Sequence, residues 1–76
     1  MIKISGTPIV EGYTNTGARR VRVSLWADSE DEISGVVTGE EIEGLNANDV
    51  LTMGSTCLTV TEGSFGRLGS NGVWKF

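Results

Sequence analysis

An Asn71-Gly72 pair set between Leu68 and Val73 constrains this chain more than any other feature. Asn-Gly between apolar residues is the strongest short-range hairpin signal, because a type I′ turn needs positive φ at both central positions. It sits inside G-S-T-C-L-T-V-T-E-G-S-F-G-R-L-G-S-N-G-V-W-K-F, residues Gly54 to Phe76. That segment reads as strands over 55–60, 64–68 and 73–76 joined by two tight turns, a C-terminal β-meander.

The rest of the chain supports a mainly β fold. Residues Arg20 to Ala27 alternate, with Val21, Val23, Leu25 and Ala27 on one face and Arg20, Arg22, Ser24 and Trp26 on the other, the pattern of a half-buried strand. Ile2 to Val10 alternates imperfectly around a Ser5-Gly6 break, and Pro8 marks an edge strand. Gly12, Asn15 and Gly17 give 11–18 the composition of a hairpin loop. Between Asp28 and Glu43, which hold seven of the ten acidic residues, alternation disappears. Thr38, with Glu41 three residues on, matches a capping box, so one short helix is expected near 38–45. It would expose Glu40, Glu41 and Glu43 and turn Ile42 and Leu45 to the sheet. Asn46 to Asp49 is then a turn, and another strand begins near Val50. The expected architecture is one domain over 1–76, a small antiparallel sheet or partly open barrel ending in the meander.

A chain of 76 residues buries only about 60% of the surface its unfolded form exposes. Small domains compensate with disulfides, a metal or oligomerisation. One cysteine and no histidine leave neither an internal disulfide nor a structural zinc site, so a homo-oligomer is expected. There is no apolar run of signal-peptide length and no stretch of about eighteen apolar residues, so no membrane segment is expected.

Chemistry is mostly excluded. Without histidine, Ser-His-Asp and Cys-His mechanisms are impossible. Cys57, in S-T-C-L-T-V, reads as a small buried hydrophobe. The acidic run 28–32 lacks the ligand spacing of a calcium loop, and the glycines near the C-terminus lack the Lys-Ser/Thr and following helix of a phosphate loop. No enzyme activity and no cofactor are expected. A net charge of −4 argues against direct nucleic-acid binding.

What remains is surface. Arg19, Arg20 and Arg22 form a local basic cluster beside Trp26, and Trp and Arg are the residue types most enriched at interface hot spots. Asp28, Glu30 and Asp31 open the acidic block. These seven residues are the candidate interaction surface, with the basic stripe of one copy meeting the acidic block of the next. The opposing view is an ordinary solvent face with the tryptophan half covered by arginine stems.

Leu51 to Phe76, about a third of the chain, also resembles a known pattern: Gly54-Ser55-Thr56, a strand, Thr61-Glu-Gly63, a strand ending at Leu68, then Ser70-Asn71-Gly72-Val73-Trp74. It is similar to the C-terminal signature of short proteins of tailed bacteriophages and prophages, often encoded among virion structural genes, although Phe65-Gly66-Arg67 stands where a tyrosine is common. The resemblance implies a virion structural or interaction protein, a head-decoration, head-fibre or tail-associated component located in the virion or the host cytoplasm. Its partners would be itself or other virion proteins. The alternative is a phage-encoded inhibitor whose acidic segment 28–43 imitates a nucleic-acid backbone. The structural reading expects aromatic surface around Trp26, Trp74 or Phe76; the inhibitor reading expects carboxylates spaced along one exposed face.

Overall fold

The alternating segment 19–27 is the spine of the fold. In the computed structural model, which describes residues 1–76, it forms β3 (Arg19–Arg22) and β4 (Ser24–Ala27). Val21, Val23, Leu25 and Ala27 are all buried, while Arg20, Arg22, Ser24 and Trp26 are exposed, as the period-2 pattern requires. The chain changes sheets at Val23, whose N–H donates to Ser55 Oγ (3.2 Å) and whose carbonyl accepts from Thr56 N–H (2.9 Å).

Two small sheets, not closed into a barrel, share this spine. The smaller has the order β2 (Ile9–Tyr13), β3, β6 (Val50–Leu51). The larger has the order β5 (Ile42–Glu43), β1 (Ile2–Ile4), β4, β7 (Thr56–Thr59), β8 (Phe65–Leu68), β9 (Trp74–Lys75). The sheets are mixed where the sequence suggested antiparallel pairing: β1 with β5, β3 with β6 and β4 with β7 run parallel. Parallel pairs need long connections, and the 28–55 segment between β4 and β7 supplies one. Strands β7, β8 and β9 form the expected antiparallel meander, and β2 after Pro8 is an edge strand, blunted by a register shift between Val10 and Gly12.

The β8–β9 hairpin is present, but its turn is not type I′. No non-glycine residue has positive φ, so Asn71 stays right-handed and only Gly72 (φ 77°) is left-handed. Gly72 N–H donates to the Gly69 carbonyl and Gly69 N–H to the Val73 carbonyl, a type I turn closed by a glycine bulge. The β2–β3 loop repeats this arrangement, with Gly17 (φ 87°) bonding Thr14 and Thr14 N–H bonding the Ala18 carbonyl.

The 28–45 segment covers the inner face of the larger sheet. Its helical turn with a side-chain cap is α1 (Glu30–Ile33), where Ser29 Oγ accepts from Glu32 N–H at 3.3 Å. The expected helix near 38–45 is reduced to one 3-10 turn, Gly39–Glu41, and Thr38 makes no side-chain cap hydrogen bond. Pairing of Ile42 and Glu43 with β1 overrides helix continuation, although Ile42 is buried and the three glutamates exposed as expected. Ile33 from α1 closes a core of Ile2, Val21, Val23, Leu25, Ala27, Ile42, Leu51, Cys57, Leu68 and Trp74. No buried side-chain polar atom lacks a partner. No helix is long and apolar enough to cross a membrane.

Candidate surface site

The strand registers align one exposed row across the outer face of the larger sheet. Lys3 pairs with Trp26, Trp26 with Leu58, and Leu58 with Phe65. Paired residues share a face, so these side chains stand side by side over about 14 Å, three strand spacings. Trp26 is 45% exposed, Leu58 44% and Phe65 59%, although each is large and apolar. Val60, just beyond β7 and also exposed, extends the patch along the strand. The Lys3 ammonium lies 5.2 Å from the Trp26 ring centroid, a cation–π contact.

Cations flank the row. Arg67 pairs with Lys75 across β8 and β9 and with Thr56 across β7, which puts both charges on the same outer face. Lys3, Arg20, Arg67 and Lys75 have no carboxylate within ion-pairing distance. Arg22 approaches Glu11 at 3.7 Å, and its aliphatic stem lies over Gly54. Four of these five cations therefore retain their charge for a partner.

The structure divides the seven residues singled out in the sequence. Arg20, Arg22 and Trp26 are exposed with the same alternation parity, and Lys3, not an arginine stem, shields the indole. Arg19 does other work. Its Nε and terminal amine bond both carboxylate oxygens of fully buried Asp49 at 3.0 and 2.6 Å. This bidentate pair raises the Arg19 pKa and holds the Asp49 carboxyl below its ordinary value, helped by the Asn46 N–H and opposed by burial. Asp28 is exposed at the end of β4, where it and Glu32 meet the Met1 α-ammonium. That ammonium, with the Asp28 N–H, lowers the Glu32 pKa. Glu30 accepts from Ser64 Oγ at 2.7 Å and ties α1 to the β7–β8 turn. Asp31 is free and exposed.

Asp31, Glu32, Glu40 and Glu41 line a surface cleft of about 450 Å³ together with Ser34, Val36 and Val37. The cleft lies on the covering segment, across the core from the Trp26 row. Its carboxylates do not converge into a metal-binding group. The outer face thus carries the aromatic and aliphatic row with Lys3, Arg67 and Lys75 and, opposite Lys3 on β5, the exposed Glu43, while Asp31, Glu40 and Glu41 stand on the covering segment.

Sequence reasoning missed Lys3, Leu58, Phe65, Arg67 and Lys75 as members of this surface. Alternation in T-C-L-T-V separates Leu58 from Cys57, but only strand pairing places Leu58 beside Trp26. Of the aromatic residues expected at the surface, Trp74 is instead buried, with its Nε1–H donating to the Val36 carbonyl at 2.8 Å. Phe76 is half-exposed and its ring covers Gly66, occupying the space a side chain there would need.

Cys57 is fully buried, and burial, with Glu32 adding to it, pushes its thiol up to about 11. The native thiol is therefore expected to react with a disulfide reagent at pH 8 no faster than the protein opens. Rapid labelling of native protein, compared with a urea-unfolded control, would show that the site is accessible.

No protein-family model, curated protein or solved structure matches this chain.

Proposed function

We propose that this protein is a non-enzymatic, self-associating β subunit that works by surface complementarity, with no chemistry of its own. The observation that carries the reading is the exposed Trp26, Leu58 and Phe65 row between unpaired cations. Contiguous aromatic and aliphatic surface on so small a domain invites water-excluding contact, and tryptophan at its centre is the commonest type of hot-spot residue. The resemblance of the β7–β9 meander to short tailed-phage proteins is consistent with a structural component of a virion, as a head-decoration, head-fibre or tail-associated part.

The nucleic-acid-mimic alternative is less well supported. Its carboxylates border a cleft in place of forming an extended row, and three of the seven acidic residues in 28–43 are already engaged: Glu30 with Ser64, and Asp28 and Glu32 with the Met1 ammonium.

The test is the solution mass by light scattering over a concentration series at low and moderate salt. A mass above the 8.1 kDa protomer that rises with concentration and falls with salt is expected. A protomer mass at every concentration would remove self-association.

A further inference from the structure

The outer face of the larger sheet carries its charges in a polarised order. From β5 to β8 the exposed row is Glu43, Lys3, Trp26, Leu58 and Phe65. One pleat along the strands, about 7 Å away, a second outward row runs Ser24, Thr56, Arg67 and Lys75 and ends on β9. A carboxylate thus stands on one edge strand, a guanidinium and an ammonium stand beside and on the other, and the large apolar side chains lie between. At the end of β4 the Asp28 carboxylate is already engaged by the Met1 ammonium.

A face with opposite charges at its two edges is complementary to its own copy turned end for end. Two sheets packed face to face keep their strands within about 30° of alignment. A two-fold axis relating them lies midway between the sheets, either across the strands or along them. An axis across the strands lays each strand on its own mate and sets Glu43 against Glu43 and Lys75 against Lys75, which suppresses the pairing. An axis along the strands, passing between β4 and β7, reverses the strand order of the second copy, so that β5 lies over β9, β1 over β8 and β4 over β7. Trp26 then packs on the partner's Leu58, Phe65 lies over the partner's Lys3, and Glu43 comes beside the partner's Arg67 and Lys75. Glu43 and Lys75 remain offset by one pleat, about 7 Å, which the flexible four-carbon stem of lysine spans.

We propose that the occupant of the outer face is a second copy of this chain in a closed two-fold dimer: the two larger sheets pack face to face about an axis parallel to β4 and β7, with Trp26 on the partner's Leu58 and Glu43 beside the partner's Arg67 and Lys75. This rests on the self-association reading above and adds to it which surface is used and in which orientation. The contact is isologous, so each pairing occurs twice and assembly stops at two copies. Trp26, Leu58 and Phe65 of both copies leave water together while the charged groups form the border, the layout of an interface with an apolar core and a polar rim. The dimer also covers the second face of the larger sheet, for which this short chain has no further layer of its own.

Charge exchange between the two edges tests the orientation. Glu43→Lys and Lys75→Glu both change exposed side chains, and each variant is confirmed folded by far-UV circular dichroism and a urea midpoint near the parent's. In light scattering at low salt the parent is expected to approach twice the 8.1 kDa protomer mass and go no higher. Each variant alone is expected to dimerise at least tenfold more weakly, because it meets like charge at both rim contacts. An equimolar mixture is expected to recover the parent's affinity as one-to-one heterodimers. There the lysine introduced at position 43 meets the glutamate introduced at position 75, and the native Glu43 meets the native Lys75. Leu58→Asp, at the centre of the contact, is expected to abolish dimerisation, and mixing it with either charge variant should not restore it.

Other results overturn it distinguishably. If Leu58→Asp breaks a dimer that both charge exchanges leave intact, or if the mixture is no tighter than either variant alone, the sheets do not meet in reversed strand order, while self-association stands. If the parent assembles and none of the three variants changes its mass, self-association uses another surface. A parent mass beyond two protomers rules out the closed dimer. A parent that stays monomeric at every concentration overturns both readings. If that monomer's tryptophan fluorescence is quenched by oligothymidylate in a salt-dependent way, the outer face serves single-stranded nucleic acid instead.

Discussion

Replacing Trp74 with alanine is expected to remove about 3–5 kcal/mol of stability, the range for truncating a large aromatic in a core. At roughly 0.05–0.15 kcal/mol per residue, the whole domain holds about 4–11 kcal/mol, so the variant should lose at least about a quarter of that stability and melt well below the parent. Two losses combine. The indole fills the end of the core beside Leu68, on the short final strand β9. Its N–H also holds the Val36 carbonyl, which anchors the covering segment to the sheet from 38 residues away. Trp74→Phe separates the two effects. It keeps most of the apolar volume and leaves the Val36 carbonyl unpaired, for an expected loss of about 1–3 kcal/mol. Urea titrations followed by far-UV circular dichroism give both numbers. A Trp74→Ala protein with the parent's midpoint would mean that the sheet and its cover are held together elsewhere.

Local features of this fold were legible in the sequence, and non-local ones were not. The 20–27 alternation specified which residues enter the core because a strand has only two faces and Val, Leu and Ala occupy one of them. Turn glycines located the β7–β9 hairpins to within a residue or two. The turn type at Asn71 was misread because a glycine bulge and a type I′ turn demand nearly the same residues, differing in whether Asn71 itself must be left-handed. Thr38 and Ser29 both have a glutamate three residues on; tertiary pairing of Ile42 with Ile2 decided that only the second would cap an α-helical turn with its side chain.

The candidate site followed the same division. Trp26 and Arg22 stood out as a tryptophan and an arginine on one strand face. Leu58, Phe65, Arg67 and Lys75 join them through the parallel β4–β7 pairing, which links residues 32 apart in the chain and leaves no mark on local composition. Arg19 was grouped with its neighbours by charge, yet its partner is Asp49, which the sequence presented only as part of a turn. A lone aspartate in an Asn-Ala-Asn-Asp turn carries no sign that it is buried.

That aspartate should set the acid sensitivity of the domain. Its two oxygens accept from Arg19 and from the Asn46 N–H, so the ionised form is held by charge-assisted hydrogen bonds that the unfolded chain lacks. A carboxyl whose folded pKa is depressed contributes its stability fully above the unfolded value, near 3.8, and loses it as pH falls through the folded value. The parent is therefore expected to keep its melting temperature from pH 7 to about 5 and to lose it progressively below about pH 4. Asp49→Asn should melt lower at pH 7, and its curve should converge with the parent's at the acid end, where both side chains are uncharged. Glu32, also depressed, contributes in the same direction, so the comparison is best made in a Glu32→Gln background. Arg19→Met provides the reciprocal test. It strands a buried carboxylate that can relieve itself by taking up a proton, so the variant's deficit should shrink as pH falls. If the parent and Asp49→Asn instead melt in parallel from pH 7 to 3, the Arg19–Asp49 pair does not hold the 46–49 turn against the end of β3, and the acid transition belongs to another group.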